Sequence, residues 1–191
     1  MSETLNVGII AERTQNLGPG IRFVIWLQGC NFKCKNCESP ELRPTVIANK
    51  IDVKKLAEVI IETESIDGIT ISGGEPFLQA KALYNLLAFI NEKRPELTVM
   101  VYSGFEYTEL IWDDAIKLMS LCDVAITGKY VDELNDDKGL RGSSNQEVIY
   151  LTERLKLYDS IFTNATRSLE FEFRHNETIM IGLRNKNCQI N

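Results

Sequence analysis

The run Ile21-Arg22-Phe23-Val24-Ile25-Trp26-Leu27 constrains this chain more than any other stretch. It is almost continuously apolar and rich in β-branched and aromatic residues, the pattern of a strand buried on both faces of a parallel sheet. Parallel neighbours need crossover connections, usually helices. The sequence supplies them in order. Leu5, Val7 and Ile9 alternate with small or polar residues as a short lead-in strand, and a polar loop from Glu12 ends in the turn Gly18-Pro19-Gly20. Asp52 is placed to cap a helix with Val53, Leu56, Ala57, Ile60 and Ile61 on one face. Gly68–Ile71, Thr98–Tyr102 and Asp123–Thr127 read as further strands. Between them, Leu83, Leu86, Leu87 and Ile90 stripe one helix, which must stop before Pro95, and Leu110, Ile111, Ala115 and Leu118 mark another. The expected architecture is α/β, a partial (β/α) barrel with right-handed crossovers.

Directly after the first buried strand come Cys30, Cys34 and Cys37, three thiols at CxxxCxxC spacing. Thiolates usually ligate all four irons of a 4Fe–4S cluster, so three cysteines without a nearby fourth ligand leave one iron open. Zinc is the rival, but it wants four ligands, and only Cys122, Cys188 and the lone His175 remain, all distant in sequence. Five cysteines do not suit a disulfide framework of a short secreted chain. In folds of this kind, chemistry gathers on loops at the C-terminal ends of the strands. The cysteine loop, Gly73-Gly74-Glu75-Pro76, Ser103-Gly104 and Gly128-Lys129 should therefore share one mouth.

The 191 residues suit one domain, and a net charge of −6 argues against nucleic acid as the main partner. No apolar run approaches the roughly 18 to 20 residues of a membrane span, and the N-terminus lacks the order of a signal peptide. A cytoplasmic setting with reduced thiols is expected. Gly128 to Asn145 is a long polar segment, of the kind that is functional or disordered. Leu169, Phe171 and Phe173, then Ile179, Ile181 and Leu183, alternate as a hairpin turning near His175-Asn176, expected to pack on an edge of the sheet.

With the cysteine loop, the Gly-Gly-Glu-Pro turn and the α/β pattern together, the sequence resembles the radical S-adenosylmethionine (SAM) superfamily. Within it the likeness is to glycyl-radical-enzyme activases, especially those of anaerobic ribonucleotide reductase. It is carried by Gly18-Pro19-Gly20-Ile21-Arg22, Gln28-Gly29-Cys30, Cys34, Cys37, Ser72-Gly73-Gly74-Glu75-Pro76, Tyr102-Ser103-Gly104-Phe105, Gly128-Lys129-Tyr130 and Arg141-Gly142-Ser143-Ser144-Asn145-Gln146. The resemblance implies a single radical SAM domain over residues 1–191, with a core of about 5–150 and a C-terminal extension of about 151–191. It implies a partial (β/α)6 TIM-like barrel with a C-terminal β-hairpin.

The resemblance also implies a chemistry. Cys30, Cys34 and Cys37 would hold one 4Fe–4S cluster as metal ligands, and SAM would chelate the open iron. Reductive cleavage would give methionine and a 5′-deoxyadenosyl radical, which takes hydrogen from a glycine of the partner, the large subunit of anaerobic ribonucleotide reductase. Ser72, Gly73 and Gly74 would approach the methionine moiety, Glu75 its ammonium group, and Ser103 its carboxylate or the ribose. Pro76 alternatively opens a plain strand-to-helix turn, and Ser103 is as readily a turn serine. The superfamily often places an aromatic residue just before the third cysteine; here it is Asn36. The backbone of Asn36, Cys37 and Glu38 then meets the adenine edge, with Phe32 as a stacking surface. Lys129 and Arg141 would contact SAM or the partner's glycine loop, or form a structural salt bridge. Lys33 and Lys35 would steer an acidic electron donor such as flavodoxin, or are ordinary solvated lysines. Cys122 reads as a buried inert thiol and His175 as a surface residue. Two other functions stay open. One is a radical SAM enzyme acting on a peptide or a small molecule, as in 7-carboxy-7-deazaguanine synthase. The other is a non-catalytic zinc or cluster module.

Overall fold

A computed structural model describes residues 3–175 and 177–186, so Cys188 and the Asn176 turn position lie outside the described residues. Seven strands form one mixed sheet: β1 (Thr4–Thr14), β2 (Arg22–Leu27), β3 (Asn49–Asp52), β4 (Gly68–Gly73), β5 (Thr98–Tyr102), β6 (Val124–Thr127) and β7 (Glu147–Tyr150), in the order β3-β1-β2-β4-β5-β6-β7. The middle strands β2, β4, β5 and β6 are parallel, while β1, β3 and β7 join antiparallel at the edges. Among the described residues no pairing joins β3 to β7, so the sheet is open and has four parallel strands where six were expected.

Helices α1 (Val53–Glu62), α2 (Ala80–Lys93) and α3 (Asp113–Met119) connect the parallel strands. Asp52 Oδ1 accepts from the Lys54 and Lys55 N–H groups, the expected cap of α1. Leu56, Ala57, Ile60, Leu83, Leu86, Leu87, Ile90, Ala115 and Leu118 pack on Phe23, Ile25, Leu27, Ile69, Ile71, Val99, Val101 and Ala125. These are alternate strand residues, so all three helices cover one face of the sheet. Crossovers of a single hand put them there. β2 is buried along its whole length because the other face is covered too.

That second cover comes from the C-terminal extension. It holds α4 (Asp159–Thr163) and the hairpin β8 (Glu170–Phe173) and β9 (Thr178–Ile181), which among the described residues pair only with each other. Ile179 and Ile181 pack on Ala11, Leu17, Val24, Trp26 and Leu42. Phe162 and Leu155 pack on Met100, Val124 and Ile126. The hairpin thus lies on the sheet's face and not on its edge. Its register also inverts the expected apolar side of β8. Glu170 and Glu172 pair with Ile181 and Ile179 and share their side, so Phe171 and Phe173 are exposed. Glu170 finds its partner in the Thr14 hydroxyl, which donates at 2.5 Å. No helix among the described residues is long and apolar enough to cross a membrane.

Candidate functional site

The C-terminal ends of β2, β4, β5 and β6 all point to one edge, and there they border a cavity of about 530 Å³. Its walls include Cys30, Cys34 and Cys37, then Ser72, Gly73, Gly74 and Glu75 after β4, Ser103 and Gly104 after β5, and Gly128 after β6. The four loops expected to share a mouth do share one. Phe32 and Glu38 also line it.

The cysteine loop is held against the sheet by close backbone approach. Gly74 and Glu75 donate to the Leu27 and Gly29 carbonyls, both at 2.8 Å. A Cβ on Gly74 would sit 2.1 Å from the Gly29 oxygen, and one on Gly73, at φ +115°, 2.2 Å from the Leu27 nitrogen. Glycine is required at both positions by the β2–β4 approach itself. The Phe32 ring lies on Gly104, where a Cβ would come within 2.7 Å of it, and meets Phe105 edge-on at 5.0 Å.

Glu75 is the polar centre of this wall. It is 1% exposed, and its carboxylate accepts from the Phe77 N–H at 3.0 Å, the Ser103 hydroxyl at 3.0 Å and the Gly104 N–H at 2.7 Å. Burial pushes its pKa up to about 7, against those three hydrogen bonds, which lower it. Ser103 is occupied on both sides, since its oxygen also accepts from the Phe105 N–H. The three thiols are reduced and half-buried. Burial pushes Cys30 and Cys37 up, partly offset by hydrogen bonds from the backbone of Phe32 and Ser39.

Two expected site residues fall outside the cavity wall. Asn36, at φ +52°, turns away and donates to Asp132 at 2.8 Å, while Lys129 is exposed. Arg141 pairs with Asp136 at 2.9 Å, the structural alternative for that residue. Cys122 is buried and donates to the Leu118 carbonyl. His175 is exposed. Sequence reasoning missed Tyr130, Gly142 and Gln146 as wall residues, and the stretch from Glu177 to Arg184, of which all but Ile181 line the cavity. Arg184 pairs with Glu38 at 3.0 Å, tying the extension to the residue after Cys37. The first group lies in the long polar Gly128 to Gln146 segment and in the motifs that carry the family resemblance, neither of which assigned these residues to the wall.

Among the described residues no group of three or more His, Cys, Asp or Glu closes up as a single metal ion would need. Three thiolates on one zinc would stand about 3.8 Å apart, from Zn–S bonds of about 2.3 Å and tetrahedral angles. A cluster carries each thiolate on a different iron, and Cys30, Cys34 and Cys37, three soft sulfur donors lining one cavity, are the donor set it takes.

A family model described as a 4Fe-4S single cluster domain matches residues 16–149, well over half of the chain. The chain belongs to that family. This 4Fe-4S single cluster domain thus ends before α4 and the hairpin begin. Among curated relatives, the anaerobic ribonucleoside-triphosphate reductase-activating protein of Enterobacteria phage T4 is 28% identical over 147 residues, covering 74% of this chain and 92% of that protein. The protein of the same name from Vibrio cholerae is 27% identical, covering 69% and 88%. The pyruvate formate-lyase-activating enzyme of Streptococcus mutans is 29% identical, with 69% of this chain matching 53% of that enzyme.

Proposed function

We propose that this 4Fe-4S protein is a radical SAM activase that installs a glycyl radical on a partner enzyme, anaerobic ribonucleotide reductase being the partner its relatives' names favour. The observation that carries the reading is the meeting of three reduced thiols and a buried carboxylate on one cavity at the C-terminal edge of parallel strands. Cys30, Cys34 and Cys37 would hold the cluster. Held there with one iron free, the cluster would supply the electron that breaks the sulfonium bond of SAM, and with it a route to hydrogen abstraction from a glycine. The protein's part is orientation and exclusion of water. Ionised Glu75, its carboxylate fixed by three donors, would take the ammonium group through a charge-assisted bond. Phe32, braced by Phe105, offers a rigid ring for adenine. We read the open sheet as the partial barrel of that superfamily, working as one domain in a reducing cytoplasm. Lys33 would be the steering charge for a donor such as flavodoxin.

Anaerobic reconstitution, iron analysis and a dithionite-driven assay for 5′-deoxyadenosine test the chemistry, and paramagnetic resonance of the partner tests the target. Cys34→Ala is expected to abolish SAM cleavage, and normal cleavage in that variant would refute the cluster assignment. Colourless protein with one zinc per chain would refute the radical reading. A cavity of about 530 Å³ also suits a small-molecule substrate. SAM cleavage without any glycine-centred signal on a reductase would favour that second reading.

A further inference from the structure

Arg167 follows α4, outside the family match, and its side chain is only 2% exposed. Its guanidinium faces backbone. Nε donates to the Gly139 carbonyl at 3.1 Å, and Nη2 to the Arg141 carbonyl at 2.6 Å. Nη1 donates to Asn135 Oδ1 at 2.9 Å and to the Arg184 carbonyl at 3.0 Å. The carbonyls of Lys138 and Gly142 lie further out, at 3.4 Å. Its nearest carboxylate, Asp137, stands off at 3.7 Å. Apart from one isolated bridge between Lys138 and Thr166, the segment from Asn135 to Gly142 is irregular, so most of its carbonyls have no ladder to satisfy them. Four of them, those of Lys138, Gly139, Arg141 and Gly142, converge on one cation instead, while the Leu140 carbonyl accepts from the Tyr102 hydroxyl. Held so, the segment presents Gly142 to the cavity, and Gln146 is locked beside it by the Gly142 and Ser143 N–H groups.

We infer that Arg167 is a positioning residue: it folds the segment from Asn135 to Gly142 into a cavity wall and so couples cofactor cleavage to hydrogen abstraction from the partner. The inference rests on the activase reading for its consequence, not for its geometry. A loosened wall admits water and mobile hydrogen donors, so cleavage continues while the hydrogen comes from the wrong source. A planar fork spanning acceptors from Asn135 to Arg184 is beyond a lysine, whose ammonium is a point charge.

The test uses the full-length chain purified anaerobically, with Arg167→Gln and Arg167→Lys. Amide hydrogen exchange across residues 135–142 is expected to quicken about tenfold or more in both, with β4 and α2 unchanged. The 5′-deoxyadenosine formed per glycyl radical on the reductase is expected to rise between roughly tenfold and a hundredfold. Unchanged exchange, an unchanged ratio with both products falling together, or full recovery in Arg167→Lys would each overturn the inference. If Arg167→Gln fails to fold, Asn135→Ala removes one acceptor from the loop side and should give a smaller rise in the same ratio; no rise overturns it. Should the unaltered protein make no 5′-deoxyadenosine, the activase reading falls, while the exchange data still decide whether Arg167 holds the wall.

Discussion

Two guanidiniums are buried among the described residues, one at the start of a central strand and one on the C-terminal extension. Arg22 opens β2 and is 0% exposed; Arg167 lies beyond the family match and serves the loop that reaches the cavity. Both are surrounded by carbonyl and hydroxyl oxygens. Arg22 donates to the carbonyls of Ile69 and Thr98 and to the hydroxyls of Thr70 and Thr98. Those acceptors belong to β4 and β5, whose backbone the sheet already fixes. There the cation fits a finished lattice, and burial presses its pKa down to about 10. At Arg167 the order is reversed, because its acceptors lie on an irregular loop pinned elsewhere by only a few bonds, the Lys138–Thr166 bridge and the Tyr102 hydroxyl among them, and the cation gathers that loop. The same chemistry closes a rigid end in one place and gives shape to an irregular segment in the other.

That contrast predicts unequal losses. Arg22→Met takes the buried donor from the carbonyls of Ile69 and Thr98 and from two hydroxyls that keep only their own acceptors, Leu17 and Asp67, and should lower stability by about 4 kcal/mol. Arg167→Met frees carbonyls on a segment that can open to solvent, and should lower it by only about 1–2 kcal/mol. Urea denaturation of the cluster-free protein measures both. Equal losses would mean that the Arg167 loop is as rigid as the sheet.

The second contrast is between charge signs. Glu75 is the buried anion at the cavity end, and its pKa is raised from 4.5 to about 7 by burial. Unfolded chains release this proton near 4.5, while the folded protein keeps it to about 7. Between those values the folded state binds more protons, so stability falls as pH rises, by about 1.4 kcal/mol per unit and about 3 kcal/mol in all. Glu75→Gln should flatten that part of the urea-midpoint curve. In the proposed site a cationic ligand favours the ionised carboxylate, so SAM affinity should strengthen as pH rises through 7, with proton release on binding. Calorimetry in buffers of different ionisation enthalpy reads this directly, and pH-independent affinity would remove Glu75 from the ammonium's partners.

How far the sequence could be read follows the same division. The parallel strands, the Asp52 cap and the four loops at one edge were legible because continuous apolar runs and helical stripes report burial that is local in sequence. β3 and β7 were missed because four-residue edge strands are too short to show a period, and in β3, Asn49–Asp52, three of the four residues are polar as well. The hairpin's existence was legible, yet its orientation was not. Glu170 faces inward because Thr14, 156 residues earlier in the chain, offers a hydroxyl, and no local pattern encodes that partner. Arg167 was invisible for the same reason. A lone arginine among Thr166 and Ser168 has no motif, and its acceptors lie 17 to 32 residues away.

Below the buried charges comes a packing contact on the cysteine loop. Gly104→Ala would bring a Cβ within 2.7 Å of two Phe32 ring atoms. A ring can swing where backbone cannot, so the loss should be about 2 kcal/mol, at the middle of the overpacking range. The displaced ring carries the cysteine loop with it, and iron content after reconstitution should fall along with the urea midpoint. Retained iron with a lowered midpoint would show that Phe32 braces the sheet and not the thiols.

The smallest effect belongs to a cation outside both buried cages. Lys35 pairs with Glu133 at 2.7 Å, but the two side chains are 69% and 64% exposed. Water screens such a pair, and ordering two long side chains offsets most of what the contact gains. Lys35→Ala should therefore leave the urea midpoint unchanged within error at 0.1 M salt. The neighbouring bond from Asn36 to Asp132 persists in that variant and keeps the acidic turn on the cysteine loop. Reduction by an acidic donor should also change less in Lys35→Ala than in Lys33→Ala. Glu133 already offsets the charge of Lys35, whereas Lys33 is exposed, so its field reaches an approaching partner. A larger rate loss at Lys35 would mean that Glu133 lets go of it when the donor arrives, and the exposed pair would then be a contact the donor exchanges for its own.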